Sequence, residues 1–397
     1  MHNTVPVSED LVWVGGNDRR IALFESAFPV PRGVSYNAYL LLDEKTVLFD
    51  TTDSAVGDLF LENVEYALNG RTLDYLVVHH MEPDHSATFA RVLEKYPAAT
   101  VVTNKKVAAM LGNYFGFQGN VRLVNEGDEL CTGKHVLSFV FAPMVHWPEV
   151  MFSFDKTTGT LFSADAFGTF GALGGSIFAD KSHFERDYLD DARRYYFNIV
   201  GKYGVQVQNA LKKAAGLEIK TICPLHGPVW RENIGWYLDK YRAWSAYEPE
   251  EKGVVVFYAS VYGHTQNAAE ILSSALSQEG VDSVKTYDVS VTDVSELLSE
   301  AFRYSHLVFA STTYNNGIFV NMERFLADLK AHAFQNRKYA VIENGTWAPQ
   351  AGGLMEAELA SMKNMQKLGE KVTLLSSVRD DAPLRTLARE IAQDYKA

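Results

Sequence analysis

The run His80-Met81-Glu82-Pro83-Asp84-His85 places two imidazoles and two carboxylates within six residues. These side chains can all ligate a metal ion. Mixed nitrogen and oxygen donors suit iron or manganese better than an all-histidine or thiolate set would. Three more candidates have a similar setting, each just past an apolar run: His146 in Pro143-Met144-Val145-His146, Asp165 after Thr160 to Ala164, and His226 after Ile219 to Cys223. Each taken singly has an ordinary alternative. His146 and His226 could be loop histidines with local partners, and Asp84 could cap a helix starting at Ala87. Seven ligands together are too many for one ion but fit two. Paired ions about 3.5–4 Å apart grip both ends of a small substrate. Asp165 stands alone and can offer one oxygen to each ion, so it is the expected bridge. His79 would point to the other face of a strand from His80 and is expected to be structural or supporting.

These groups need rigid elements to hold them. Leu73 to Val78 reads as a buried strand delivering the six-residue cluster to a sheet edge. Leu11 to Val14, Ile21 to Phe24, Tyr36 to Leu42 and Thr46 to Asp50 read as strands of an antiparallel meander. Helical patterns cover Val56 to Leu68 and Ala87 to Lys95, with a helix-rich stretch from about Asp187 to Ala215. Further short strands fall between Val101 and Ala164. Strand runs with helices outside suggest two packed sheets flanked by helices.

The polar segment from Ser245 to Gly253 reads as a linker, dividing the chain into domains 1–250 and 251–397. Beyond it the pattern changes. Strands at Val254 to Ala259, Val284 to Tyr287, Leu307 to Ala310, Tyr339 to Glu343 and Val372 to Leu375 alternate with helices, which implies a doubly wound five-stranded parallel sheet. Three of its strand-end loops are rich in small polar residues. Ser260-Val261-Tyr262-Gly263-His264-Thr265 opens a helix and can cradle a phosphate on backbone amides without a lysine. Thr312-Thr313-Tyr314-Asn315-Asn316-Gly317 and Asn344-Gly345-Thr346-Trp347 follow the third and fourth strands, where ligands bind in open α/β sheets. Tyr314 and Trp347 could flank an aromatic ring system. The alternative is a helix cap and two surface turns. A dinucleotide G-x-G-x-x-G fingerprint is missing.

The spacing H-x-E-x-D-H, followed by a distant His, Asp and His, resembles the metallo-β-lactamase fold. That superfamily's usual pattern is H-x-H-x-D-H and serves zinc hydrolases. Glu82 in place of the second histidine resembles the flavodiiron proteins, also called A-type flavoproteins. Asn344-Gly345-Thr346-Trp347-Ala348-Pro349 resembles the matching loop of that family, and the order of elements resembles flavodoxin. The resemblance spans nearly the whole chain. It implies an N-terminal αββα metallo-β-lactamase-like sandwich and a C-terminal flavodoxin-like domain carrying FMN. It implies that His80, Glu82 and His146 bind one iron, that Asp84, His85 and His226 bind the other, and that Asp165 bridges. His85 is the ligand whose equivalent fails to reach the metal in some relatives. The implied activity is reduction of O2 to water, of nitric oxide to nitrous oxide, or both. The implied assembly is a head-to-tail homodimer or a dimer of dimers. The two competing readings are a zinc-dependent hydrolase with an appended flavodoxin-like domain and a pure electron carrier. Glu82 and the complete ligand set weigh against them. Tyr195 and Glu25 are candidates for shaping the pocket, against an ordinary packing or surface role.

Bulk composition sets the remaining limits. With 397 residues, 47% hydrophobic and 22% charged, the chain is globular and long enough for two domains. A net charge of −12 and no basic run argue against nucleic acid or an anionic membrane as partner. Neither a membrane-spanning stretch nor a signal peptide is seen, so a cytoplasmic location is expected. The two cysteines, Cys131 and Cys223, exclude a disulfide framework and are too few for a rubredoxin module. Cys223 is expected to be a buried structural thiol. A separate electron donor is therefore expected, rubredoxin first and reduced deazaflavin second.

Overall fold

In the computed structural model, which describes residues 2–397, the chain divides into two compact units, 1–242 and 243–397. The break falls before the expected linker. Trp244 and Tyr247 are buried, and the Tyr247 carbonyl accepts from Arg337 at 2.6 Å. Tyr247 thus fastens the segment read as a linker to the second unit, and Glu251 already opens a strand, Glu251–Ala259. Among the described residues no helix is long and apolar enough to cross a membrane.

The first unit is built on two sheets. The seven-stranded sheet runs in the order Val5–Pro6, Leu11–Trp13, Tyr39–Leu42, Thr46–Phe49, Tyr75–Val77, Thr100–Thr103, Val121–Leu123. Its first four strands pair antiparallel and its last four pair parallel. The expected meander therefore covers only half of it. Ile21 to Phe24 is not part of it. Leu23–Phe24 instead pairs with Phe28–Pro29 in a small separate hairpin. That stretch is too short to fill a sheet position, and its tip residues Glu25 and Ser26 both have positive φ, as a tight two-residue turn needs.

The five-stranded sheet runs Glu129–Cys131, Val136–Phe141, Met151–Asp155, Thr160–Phe162, Thr221–Cys223. Side chains alternate between faces with period two. Trp13, Tyr39, Leu41, Val47 and Phe49 meet Leu137, Phe139, Met151 and Phe162 in one core, with Cys223 among them. Leu40, Leu48, Leu76 and Val101 point the other way, into a core with Phe60, Val64, Phe89, Val107 and Leu111. Those last five lie on the helices Gly57–Leu68, Phe89–Lys95 and Lys105–Phe115. Both faces of the central strands are covered, so their sequences read as apolar runs rather than alternation.

In the second unit the parallel strands order as Val284–Asp288, Glu251–Ala259, Tyr304–Tyr314, Lys338–Asn344, with Gln366–Lys367 and Val372–Leu374 both on the far side of Lys338–Asn344. This is the 2-1-3-4-5 order of flavodoxin-like sheets, whose ligand site lies at the strand C-termini by the switch point. Helices His264–Gln278 and Ala382–Lys396 cover one face through Leu272, Leu276, Leu384, Leu387 and Ile391.

Candidate functional site

All seven expected metal ligands lie just past strand C-termini of the two sheets in the first unit. The structure gathers them into two groups: His80, Glu82, His146 and Asp165, then Asp84, His85 and His226. Asp165 joins them. Its Oδ2 lies 3.3 Å from His80 Nε2 and 3.2 Å from His146 Nε2, while Oδ1 lies 3.0 Å from His85 Nε2 and 3.7 Å from His226 Nε2. Glu82 Oε2 completes the first group at 2.9 Å from His146 Nε2, and Asp84 Oδ2 the second at 3.1 Å from His226 Nε2. Asp84 is not a helix cap. It sits inside a helical turn, Pro83–Ser86, which begins earlier than the sequence suggests and aims both Asp84 and His85 inward.

The centre is buried and crowded with charge. Burial alone would lower the histidine pKa values, but facing carboxylates overcome it. Asp84 and Asp165 raise His85 to about 9, and Asp165 and Glu82 raise His146 to about 9. Burial likewise opposes ionisation of Glu82 and Asp165, yet the neighbouring histidines hold both below the ordinary carboxylate range. Without cations, these carboxylates and histidines balance only one another. Both oxygens of Asp84, both ring nitrogens of His85, Asp165 Oδ1 and His226 Nε2 have no hydrogen-bond partner. Each such buried group costs about 1–3 kcal/mol if left uncompensated. Two cations would satisfy those that face the two ligand groups, one atom from each residue, and four imidazoles with three carboxylates are a donor set that iron accepts.

Supporting groups fix the rings, and the sequence reading missed them. Glu149 accepts from His80 Nδ1 at 2.8 Å and from the Met81 amide at 3.1 Å. The Ser35 carbonyl holds His226 Nδ1 at 2.7 Å. Gly227 follows with φ +74, and a Cβ there would meet Thr169 Cγ2 at 2.1 Å, so only glycine lets His226 turn inward. Ala164 and Phe167, flanking Asp165, also take positive φ. Backbone strain of this kind tends to gather at functional sites. His79 stays outside the cluster, bonded to Asp50 and, through Nε2, to Ser153 at 2.7 Å.

Both pocket candidates lie beside the centre. Tyr195 is fully buried, its ring 5.5 Å from that of His226 and its hydroxyl without a hydrogen-bond partner. Glu25 sits at the hairpin tip. The residue is exposed as a whole, but its carboxyl end leans in on Glu82. Burial of that end, then the charge of Glu82, pushes its pKa up to about 8.

The second unit holds a cleft of about 540 Å³ at the strand C-termini. It draws on each of the three expected loops, through Ser260, Val261, Tyr262, His264, Thr265, Thr312, Thr313, Tyr314, Asn315, Asn316, Asn344, Gly345, Thr346 and Trp347. Gly263 and Gly317 shape the loops without lining it. Gly263 caps the helix His264–Gln278 with φ +87, turning the helix start, whose first amides have no intrahelical partner, toward a ligand. The second loop is shorter than the sequence suggests. The strand runs on to Tyr314, and Asn315-Asn316 form a tight turn with both φ positive before Gly317 pairs back on Tyr314. Asparagine tolerates that conformation better than most residues.

Ala348 and Ser376 also line the cleft and were missed. Asn344 reaches Ser376 by two hydrogen bonds, of 2.8 and 3.0 Å, so a fifth-strand loop with no motif of its own joins the site. No lysine or arginine lines the cleft, so amides and hydroxyls would carry any phosphate. Tyr314 and Trp347 are 48% and 88% exposed, open for a flat ring to lie against.

Comparison with known proteins follows the same division. Residues 34–227 match the family model described as ODP family beta lactamase, and residues 256–374 match Flavodoxin. A nitric oxide reductase of Moorella thermoacetica is 30% identical over 91% of this chain and 91% of its own. An anaerobic nitric oxide reductase flavorubredoxin of Vibrio vulnificus is 28% identical over 96% of this chain and 82% of its own. The solved rubredoxin oxygen:oxidoreductase of Desulfovibrio gigas is 28% identical and superposes with a TM-score of 0.91 over 99% of both chains.

Proposed function

From its membership of the flavodiiron protein family, to which this chain belongs, we propose that this oxidoreductase reduces O2, nitric oxide or both at a buried iron pair, with electrons reaching it from an external donor by way of FMN. When bound, the irons supply electrons and open coordination positions, and FMN stores reducing equivalents. The observation that carries the reading is Asp165, whose two oxygens face two separate ligand groups. His80, Glu82 and His146 would hold one iron and Asp84, His85 and His226 the other, with Asp165 offering an oxygen to each group. Glu149 and the Ser35 carbonyl fix the ring orientation of His80 and His226.

The walls favour a small uncharged substrate. Trp147 packs edge-on to His80 at 5.3 Å, and Phe24 and Tyr36 pack edge-on to His226 at 5.4 and 5.8 Å. These rings keep the ligands dry, which strengthens every electrostatic interaction among them. Tyr195 presents a buried hydroxyl without a partner, suited to donate a hydrogen bond to an oxygen of a bound gas. In the second unit, amides at the helix start would hold the FMN phosphate, and Tyr314 and Trp347 would flank its ring.

Rubredoxin is the favoured donor, since the names of two of these relatives carry it; reduced deazaflavin is the alternative. A head-to-tail homodimer, with the flavin of one copy serving the iron of the other, is the assembly this family resemblance supports. Full turnover by a monomer at high dilution would contradict it. A cytoplasmic location suits the free thiols of Cys131 and Cys223. The test is gas consumption by protein carrying FMN and two irons per chain, one for each ligand group. Reduced rubredoxin feeds limiting O2 in one cell and nitric oxide in another. Consumption of either gas supports the proposal and their ratio assigns the substrate; consumption of neither rejects it.

A further inference from the structure

A series of oxidisable rings leads from beside the candidate metal cluster to the surface of the first unit. It begins at Tyr241, whose hydroxyl accepts from the amide of Phe167, two residues past Asp165, at 2.6 Å. Tyr241 lies 5.4 Å from Tyr237, ring centre to ring centre. Tyr237 stacks on Trp230 at 4.3 Å with the planes 15° apart. Trp236 stands 6.2 Å from both Trp230 and Tyr237. Tyr237 and Tyr241 are fully buried, Trp230 is 3% exposed, and Trp236 is half-buried. Trp230 and Trp236 both line a second cleft of about 570 Å³ that opens to solvent. The Trp230 indole N–H is buried without a hydrogen-bond partner.

Apolar packing alone would be served as well by leucine and phenylalanine. Burying an indole N–H that has no hydrogen-bond partner costs free energy that an aliphatic residue would avoid. What tyrosine and tryptophan add is easy one-electron oxidation. We propose that Tyr241, Tyr237, Trp230 and Trp236 form a relay that carries oxidising equivalents away from the metal centre to the surface when the centre meets O2 with too few electrons. The inference rests on the reading of this site as an iron pair that reacts with oxygen species. In a rescue event one electron moves inward along the rings and quenches the oxidant at the centre. Trp236 is left one electron short and releases its indole proton to water in the cleft. A small thiol or ascorbate-type reductant from solution then restores it. The ligand histidines and Tyr195 are spared oxidation.

The test uses iron- and FMN-loaded protein without an electron donor, treated with hydrogen peroxide and mapped by peptide mass spectrometry for oxygen added to aromatic residues. Peroxide supplies the oxidant whichever gas the enzyme reduces, so failure of the relay is distinguishable from failure of the gas-reductase reading. Trp347 is an internal control, because it is 88% exposed and belongs to the second unit. The relay predicts that Trp236 is oxidised ahead of Trp347 and that this preference is lost when iron is removed. Tyr237→Phe keeps the packing and removes the hub, so Trp236 oxidation falls to the iron-free level and adducts move to the ligand histidines. Trp236→Phe, a change at the cleft that spares the fold, moves adducts inward to Trp230 and Tyr237. Oxidation that follows exposure, with Trp347 leading and no dependence on iron, overturns the relay. An adduct pattern unchanged in both variants overturns it too.

Discussion

The two sites solve opposite problems. The metal centre concentrates seven ionisable ligands in a buried pocket and fixes them with further buried groups such as Glu149 and Ser35. The flavin cleft has almost no charge. It relies on helix-start amides, hydroxyls and exposed rings on loops. The first arrangement is costly until cations arrive, because its carboxylates and histidines then balance only one another. The second is open, neutral and complete without its ligand. Irons held by the first should exchange slowly, and removing them should disturb stability; flavin held by the second should come and go with little effect on the surrounding fold.

That contrast is broken most directly at Asp165. Asp165→Ala removes an oxygen from each ligand group at once, so both irons should be lost while FMN stays bound, read as metal and flavin content per chain. Retention of both irons would refute the bridge. A weaker version removes only support. Glu149→Ala should cost about 10–100-fold in iron affinity, and Glu149→Gln less, measured by chelator competition. An unchanged affinity in both would mean that His80 needs no outside partner. The cleft should answer to backbone shape instead. Gly263 has open space around it, so Gly263→Ala meets no clash, only the left-handed backbone penalty of about 1–2 kcal/mol. FMN binding should weaken by about tenfold or somewhat more, with iron content unaltered. Equal losses at both sites would blur the distinction.

The smallest effect separates the units by pH. In the first unit, burial opposes the charge on His135, but hydrogen bonds to Asp155 at 2.8 Å and Asp10 at 3.1 Å overcome it and raise its pKa. The stabilisation it adds is fully present below its unfolded value of about 6.5 and is lost as pH rises through the higher folded value. In the second unit, burial of His306, with Lys338 and Lys252 nearby, outweighs Asp394 and lowers its pKa. Stability there is retained above about 6.5 and declines as pH falls toward the lower folded value. Melting of the two units should therefore shift in opposite directions across this range, and His135→Gln should remove the first trend only. Parallel shifts would count against this assignment.

How much of this was legible in the sequence follows the same contrast. The seven candidate ligands could be picked out because their chemistry is carried by residue type. Four histidines and three carboxylates, each delivered by an apolar strand, already spell out a metal-binding set before any of them is placed in space. The three loops that line the cleft could be picked out because turn residues at strand ends mark ligand sites in parallel sheets. What stayed hidden depends on pairing across the chain. Glu149 lies in an unremarkable loop and matters only because folding brings it to His80. Ser35 acts through its carbonyl, which every residue has. Ser376 joins the cleft by reaching Asn344 from a loop with no signature. The Leu23–Phe24 hairpin reads as a sheet strand in the sequence because a four-residue apolar run, Ile21 to Phe24, does not reveal a strand's partner. The linker misled for a related reason, since Trp244 and Tyr247 outweigh the polar residues around them.

The central claim is that the iron pair and the flavin serve one reaction. Its most direct test is rapid mixing of fully reduced, FMN- and iron-loaded protein with O2 or nitric oxide, following flavin reoxidation and hydrogen peroxide together. Wild type should reoxidise with at least one gas without releasing peroxide. Asp165→Ala, with FMN still bound, should lose reoxidation by nitric oxide and yield peroxide with O2. Identical rates and products in the two proteins would contradict it, because the flavin would then be reacting without the metal centre.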